Sequence, residues 1–307
     1  MPATEITIIG ADGTRLDISG PNAGRQGIIL AAGQVKGIYD APTTTESKSA
    51  ARAIGGKHIG TDYEIRDLIL GFHLFGDDDP RGYEWLENTL SKCFTYEPDP
   101  WDPTEQLARI FVKSKRDTRM LSVQKSEAPD FEPDMDPNAD EYSNVRYLLR
   151  AYQPMWVGKK LVTSWETSGT SGSGLISVSN PTDRPMLQTW VLTRGTWTIP
   201  DFSWRGPKGQ RMPGGEFPDR KLTLLPIDSV HGGARINLDP MKLMVESWSG
   251  TNLLAELAGQ QYFMHEIPPY TPETLLPIKV SGAPSGGARA ELHQPRMWSK
   301  PWGLQWR

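Results

Sequence analysis

Five histidines are the first residues to test for chemistry. His58, His73, His231, His265 and His293 are scattered, and no two stand at a spacing that presents a pair of imidazoles to one metal from a single helix or hairpin. His265-Glu266 begins as a zinc-protease helix does, but Ile267-Pro268-Pro269 ends that helix and removes its second ligand. Asp134, Asp136 and Asp140 alternate like calcium ligands without the glycine of the sharp turn or a later bidentate Glu, so a solvated acidic loop is the expectation. The Gly/Ser run 169–174 has no Lys for a phosphate loop, and its serines miss the Gly-x-Ser-x-Gly register of a nucleophile elbow. Among 37 acidic residues no carboxylate pair stands out. The expectation is a non-enzymatic chain with no catalytic residue, no metal ligands and no cofactor.

Tryptophan is the residue type left over. The 11 tryptophans have two uses, as core of a β protein or as flat surfaces that stack on sugars and anchor interfaces. Trp298, Trp302 and Trp306 are separated by polar and helix-breaking residues, so no regular element buries all three together, and they are candidate subunit contacts. Cys93 is the only cysteine, which excludes an intramolecular disulfide and makes it a small buried hydrophobe.

The elements that position these residues read as strands joined by turns. Ile6 to Ile18 is a hairpin around Asp12-Gly13, because Asp-Gly supplies the positive φ of a tight turn. A strand runs within 27–39, and alternate apolar residues mark another at 61–75. Between them, residues 43–57 are Thr, Ser, Ala and charge without an apolar face, an extended polar arm. Thr43, Lys48, Arg52 and Lys57 on it are candidate subunit contacts. The spacing predicts one helix over 82–94, capped by Asp79 with Pro80 in its first turn. A strand pair follows at 107–112 and 119–123, then an exposed acidic loop at 128–141 and a strand from Val145. Residues 167–174 carry no apolar side chain and read as a linker between a first domain, 1–166, and a second, 175–307. Seven short strands beyond it, each bounded by Gly, Pro, Asn or Asp, predict an antiparallel sandwich.

Composition agrees with that reading: 37% hydrophobic residues with 30 Gly and 26 Pro suit short strands and many turns. A net charge of −4 supplies no basic field for nucleic acid, so none is expected as a partner. No apolar run approaches the roughly 20 residues of a membrane-spanning helix, and the start lacks a basic then apolar leader, so membrane insertion and secretion are not expected.

Several segments resemble a known family. Gly37-Ile38-Tyr39-Asp40-Ala41-Pro42, the polar arm after it, Gly60-Thr61-Asp62-Tyr63-Glu64-Ile65-Arg66, the helix, the pair Leu107 to Val123, and Tyr147 to Trp156 are similar to the first domain of distal tail proteins of long-tailed siphophages. Asn180-Pro181-Thr182-Asp183-Arg184-Pro185 resembles an Asn-x-Gly-Asp-x-x-Pro turn with Thr182 in the place of glycine, and 267–272 with Arg296-Met297-Trp298 is similar to minor tail proteins of actinobacterial phages. The resemblance implies a mainly β fold: a β-sandwich or split-barrel domain with one helix, then a galectin-like or jelly-roll-like β-sandwich. It implies a hexameric ring joining the tail tube to the tip or baseplate, with tail-tube protein and tail-tip hub or tail-associated lysin proteins as partners. The place implied is the distal end of the virion tail, assembled in the host cytoplasm. Recognition of host cell-wall glycans by the second domain is the alternative.

Overall fold

The computed structural model describes residues 4–49, 51–52, 54–78, 80–102, 104–254, 257 and 262–306. The chain is mainly β and divides into two units, one of residues 1–158 with 299–303, the other of 159–298 with 304–307. The boundary therefore lies before the Gly/Ser run, and the C-terminal segment is shared out between the units.

In the first unit the expected hairpin is β1 (Glu5–Ile9) and β2 (Arg15–Ser19), with Asp12 accepting from the Thr14 amide at 2.9 Å to fix the turn. β3 (Ile28–Lys36) follows, then β4 (Thr43–Lys48), β5 (Lys57–Tyr63) and β6 (Arg66–Phe75). After the helix come β7 (Ala108–Lys113), β8 (Thr118–Lys125) and β9 (Tyr142–Ala151), with the short β10 (Trp156–Val157) pairing on β8. The antiparallel sheet runs β2-β1-β7-β8-β9-β6-β3, and its end strands meet where the Gly24 amide donates to the Asp17 carbonyl at 3.1 Å. Alternation explains the core: Leu68, Leu70, Phe72 and Leu74 of β6 all point inward with Ile8, Leu16, Ile110 and Leu149.

The helix, α1 (Gly82–Cys93), lays Tyr83, Leu86, Leu90 and Cys93 on that core. Its start differs from the expectation. The acidic cluster forms a 3₁₀ turn at Gly76–Asp78, the helix begins at Gly82 without a side-chain cap from the residue before it, and the Tyr83 amide donates to Glu141 Oε2 at 2.7 Å. A carboxylate distant in sequence serves the helix start that a local Asp was expected to serve; Asp79 itself lies outside the described residues. Within the acidic loop Asp136 caps a one-turn α2 (Pro137–Asp140), a second helix with no buried residue. Cys93 is buried, and burial pushes its thiol up to about 12.

The second unit is two sheets over one core. β11 (Leu161–Thr167), β21 (Ala288–Gln294), β13 (Thr189–Thr193), β18 (Gly233–Asn237) and β19 (Val245–Ser247) form one, in that order. The other runs β12 (Gly172–Asn180), β20 (Thr271–Ser281), β14 (Thr196–Pro200) and β17 (Lys221–Thr223), while β15 (Trp204–Arg205) and β16 (Met212–Pro213) pair separately. Trp190, Trp197, Ile199, Ile278 and Leu292 fill the space between the sheets.

Residues 167–174 are not a linker. They turn the chain from β11 into β12, and a Cβ at Gly174 would sit 2.0 Å from Trp165 Nε1. The glycines make room for an indole lying over the strand, a packing demand that reads as flexibility in composition alone.

Candidate assembly surface

The polar arm is a two-stranded hairpin that belongs to no larger sheet. Among the described residues β4 and β5 pair only with each other, from Thr43 opposite Tyr63 at the base to Lys48 opposite Lys57 near the tip. The Glu64 amide donates to the Pro42 carbonyl at 3.0 Å and ties the base to the first unit. Every residue of β4 is exposed, Ile59 is 59% exposed, and Ile54 is fully so. Arg52 stands in the turn with φ +70°. An isolated hairpin in water has little to hold it, and like charges directly opposite each other weaken it further. The arm thus offers exposed strand edges, the exposed Ile54 of its turn and two lysines at paired positions to another molecule.

Trp302 falls in the first unit, Trp298 and Trp306 in the second. Trp298 is buried. Trp302 packs on the core of the first unit, its ring 5.7 Å from that of Tyr39. Trp306, 47% exposed, leans on Tyr270 at 5.4 Å and on bare Gly209 in the second unit.

Two buried arginines hold residues 299–303 in the first unit. Arg66 donates from Nε to the Pro154 carbonyl at 2.8 Å, from Nη1 to those of Gly37 and Ile38 at 2.8 and 3.2 Å, and from Nη2 to that of Ser299 at 2.9 Å. Arg119 donates to the carbonyls of Lys300 at 2.7 Å and Gly303 at 2.6 Å, and to Asp117 at 2.9 Å. Both side chains are fully buried, and burial lowers the Arg66 guanidinium to about 10. Lys300 completes the clasp, 3.3 Å from Asp40 and over the Tyr39 ring. Four segments separated in sequence therefore meet on Arg66: 37–42, the start of β6, 153–156 and the C-terminal segment. Sequence reasoning passed over both arginines although a signal existed. Arg66 shares a face with Leu68, Leu70 and Phe72, and Arg119 with Leu121 and Val123, so each is a cation in a core-facing register.

The turn at Asn180 is a second node. Asn180 Nδ2 donates to the carbonyls of Arg184, Ile267 and Pro268 at 2.8, 3.0 and 3.1 Å, while its Oδ1 accepts from the amide and hydroxyl of Thr182. Thr182 is buried, and its hydroxyl donates where glycine would have nothing to offer.

The arrangement nearest to a catalytic dyad is Asp201 with His265, whose Nδ1 is 3.3 Å from the carboxylate. That carboxylate accepts from the amides of Met264 and His265 and from Arg220, and the cavity beside it holds about 10 Å³, room for about one water. Its work is to fix residues 264–265 against the end of β14. Among the described residues, no group of three or more His, Cys, Asp or Glu is placed to hold a metal ion, and no helix is long and apolar enough to cross a membrane.

No protein-family model matches the chain. Minor tail protein Gp27 of Mycobacterium phage D29 is 24% identical over 98% of this chain and 99% of its own length. The crystal structure of SPP1 Dit (gp 19.1), described as a paradigm of the hub adsorption apparatus in phages infecting Gram-positive hosts, matches with a TM-score of 0.58 and 12% identity, covering 94% of this chain and 98% of that one. The chain is similar to phage minor tail proteins and has the fold of a distal tail protein. Both matches run nearly end to end, so the likeness takes in both units and the segments in which the sequence resemblance was read.

Proposed function

We propose that this chain is a structural component of a phage tail tip, a homo-oligomeric and by resemblance hexameric ring that joins the tail tube to the tip or baseplate and its receptor-binding apparatus. One observation carries the reading: the exposed hairpin 43–63, unsupported by any sheet of its own unit, in a chain similar along its whole length to a phage minor tail protein. In the ring the first unit is the hub and the second lies at the periphery. The arm, through Thr43, Lys48, Arg52 and Lys57, docks on the next copy, and the heterologous contact closes by rotation. The exposed Trp306 is a second contact point. Partners above and below are the tail-tube protein and tail-tip hub or tail-associated lysin proteins, the place is the distal end of the virion tail after assembly in the host cytoplasm, and no catalytic step is assigned.

The test is mass photometry of the purified chain alone and with tail-tube protein. A ring mass that collapses to the monomer when Lys48 and Lys57 are both changed to Glu is expected; a wild-type chain that stays monomeric with the tube protein present overturns the reading. A second reading, recognition of host cell-wall glycans by the second unit, is favoured by a polar cleft there.

A further inference from the structure

A cleft of about 950 Å³ lies within the second unit. It opens between the turn that joins β11 to β12, the end of β13 at Thr193-Arg194, and the loop 284–287 before β21. Its walls are fixed before any ligand arrives. The Ala283 amide donates to the Thr170 carbonyl at 2.9 Å, Gly287 closes a turn onto Pro284 at 2.9 Å, and the Arg289 amide donates to Thr193 Oγ1 at 2.8 Å. Gly287 has φ +88°, and a Cβ there would come within 2.0 Å of the Thr167 carbonyl oxygen, so only glycine lets the two loops approach this closely.

The lining is polar, which disfavours a lipid or an apolar cofactor. Glu166, Ser168, Arg194 and Ser285 border the cleft, and among the described residues their side chains have no hydrogen-bond partner. An acceptor, a donor and two hydroxyls able to do either are thus free for a ligand. At one edge the cleft includes Gly232, where an added Cβ would lie 3.7 Å from the ring of Trp248, an indole 57% exposed and lying flat over bare Gly233. A flat aromatic surface beside a hydroxyl-binding cleft matches a molecule with one apolar face and a hydroxylated rim. Glu166 and Arg194 both line the cleft, which therefore carries one side chain of each charge.

We propose that this cleft is a saccharide site: Trp248 stacks on a sugar ring at the rim, Glu166, Ser168 and Ser285 exchange hydrogen bonds with ring hydroxyls, and Arg194 selects a sugar bearing a carboxylate. The inference rests on the second reading above and adds to it a location and a ligand class; it is independent of ring assembly.

Saturation-transfer NMR on the full chain tests it, with tri-galacturonic acid as the acidic probe, maltotriose as the neutral one and a hexaglutamate peptide as the non-sugar control. Transfer to tri-galacturonic acid is expected. Gly286→Phe, placed where an added Cβ meets nothing within 4 Å, fills the cleft without disturbing the fold and lowers affinity at least tenfold, as does Trp248→Ala. Arg194→Gln removes the preference for the acidic sugar over maltotriose. No transfer to either sugar at millimolar concentration, undiminished binding by the Gly286→Phe chain, or binding of hexaglutamate alone overturns the proposal. Ring mass is read in the same samples: a Gly286→Phe chain that assembles but binds no sugar supports the site, whereas loss of the wild-type ring bears on the first reading only.

Discussion

Replacing Arg66 with Met keeps an unbranched stem of similar length in the core and removes four hydrogen bonds at once, those to the carbonyls of Gly37, Ile38, Pro154 and Ser299. The bond to Ser299 is buried and the other three are partly buried. Leaving a buried acceptor unpaired costs about 1–3 kcal/mol, and removing one partner of a buried charged contact costs about 3–5 kcal/mol. The two effects overlap, and the Met variant escapes the cost of burying a charge, so a loss of about 3–5 kcal/mol is expected. In a unit of this size that lowers the midpoint of thermal unfolding by about 10 °C, at about 2–4 °C per kcal/mol. Arg66→Lys separates charge from geometry. A single ammonium cannot reach carbonyls spread over three segments, so Lys recovers less than half of the loss. Calorimetry gives the midpoint, and amide hydrogen exchange localises the effect. The variants should exchange faster in 37–42 and 299–303 while β7 and β8 keep their protection. A change below about 1 kcal/mol, or faster exchange spread evenly over the first unit, refutes the claim that Arg66 fastens these segments.

Asn180→Ala in the second unit strands the carbonyls of Arg184, Ile267 and Pro268 and is expected to cost about 2–4 kcal/mol by chemical denaturation, with Asn180→Asp no rescue because it offers no donor. Gly174→Val drives a side chain into the Trp165 indole and lowers the midpoint of the second unit, whereas a true linker would tolerate it, so an unchanged midpoint counts against the packing role. Burial pushes the Asp17 carboxyl up, but hydrogen bonds from Arg15 and Thr7, the charge of Arg15 and a hydrogen bond from Gln26 outweigh it and hold the group below its ordinary 3.8. A carboxyl depressed in the folded state contributes stability that is present above pH 3.8 and is lost as pH falls through its folded value, so Asp17→Asn flattens the acid limb of the stability curve below about pH 4. An acid limb identical to that of the unaltered chain contradicts it.

Much of this was legible in the residues. Alternation placed β6, β7, β8 and the short strands of the second unit, and helical spacing placed α1, because each buries one face and period records that directly. What escaped notice depends on contacts between residues far apart in the chain. The linker expectation failed because Gly172 and Gly174 are small for the sake of Trp165. The Asp79 cap was expected locally, whereas Glu141 reaches the helix start from another loop. The C-terminal tryptophans share a short stretch of sequence but not a unit, since Arg66 and Arg119 hold 299–303 in the first. The arm reads as polar in the sequence, but its hairpin pairing carries no hydrophobic signature, since among the described residues every position of β4 is exposed.

The central claim is that this chain builds a ring at the tail tip through its exposed arm. Electron microscopy of particles assembled with the unaltered chain, and with one whose residues 44–62 are replaced by a Gly-Ser turn, measures it directly. The account predicts a closed ring of the chain at the distal end of the tail tube in the first and tails lacking that ring in the second. Particles in which the shortened chain still forms the ring, or in which the unaltered chain lies elsewhere, would contradict it.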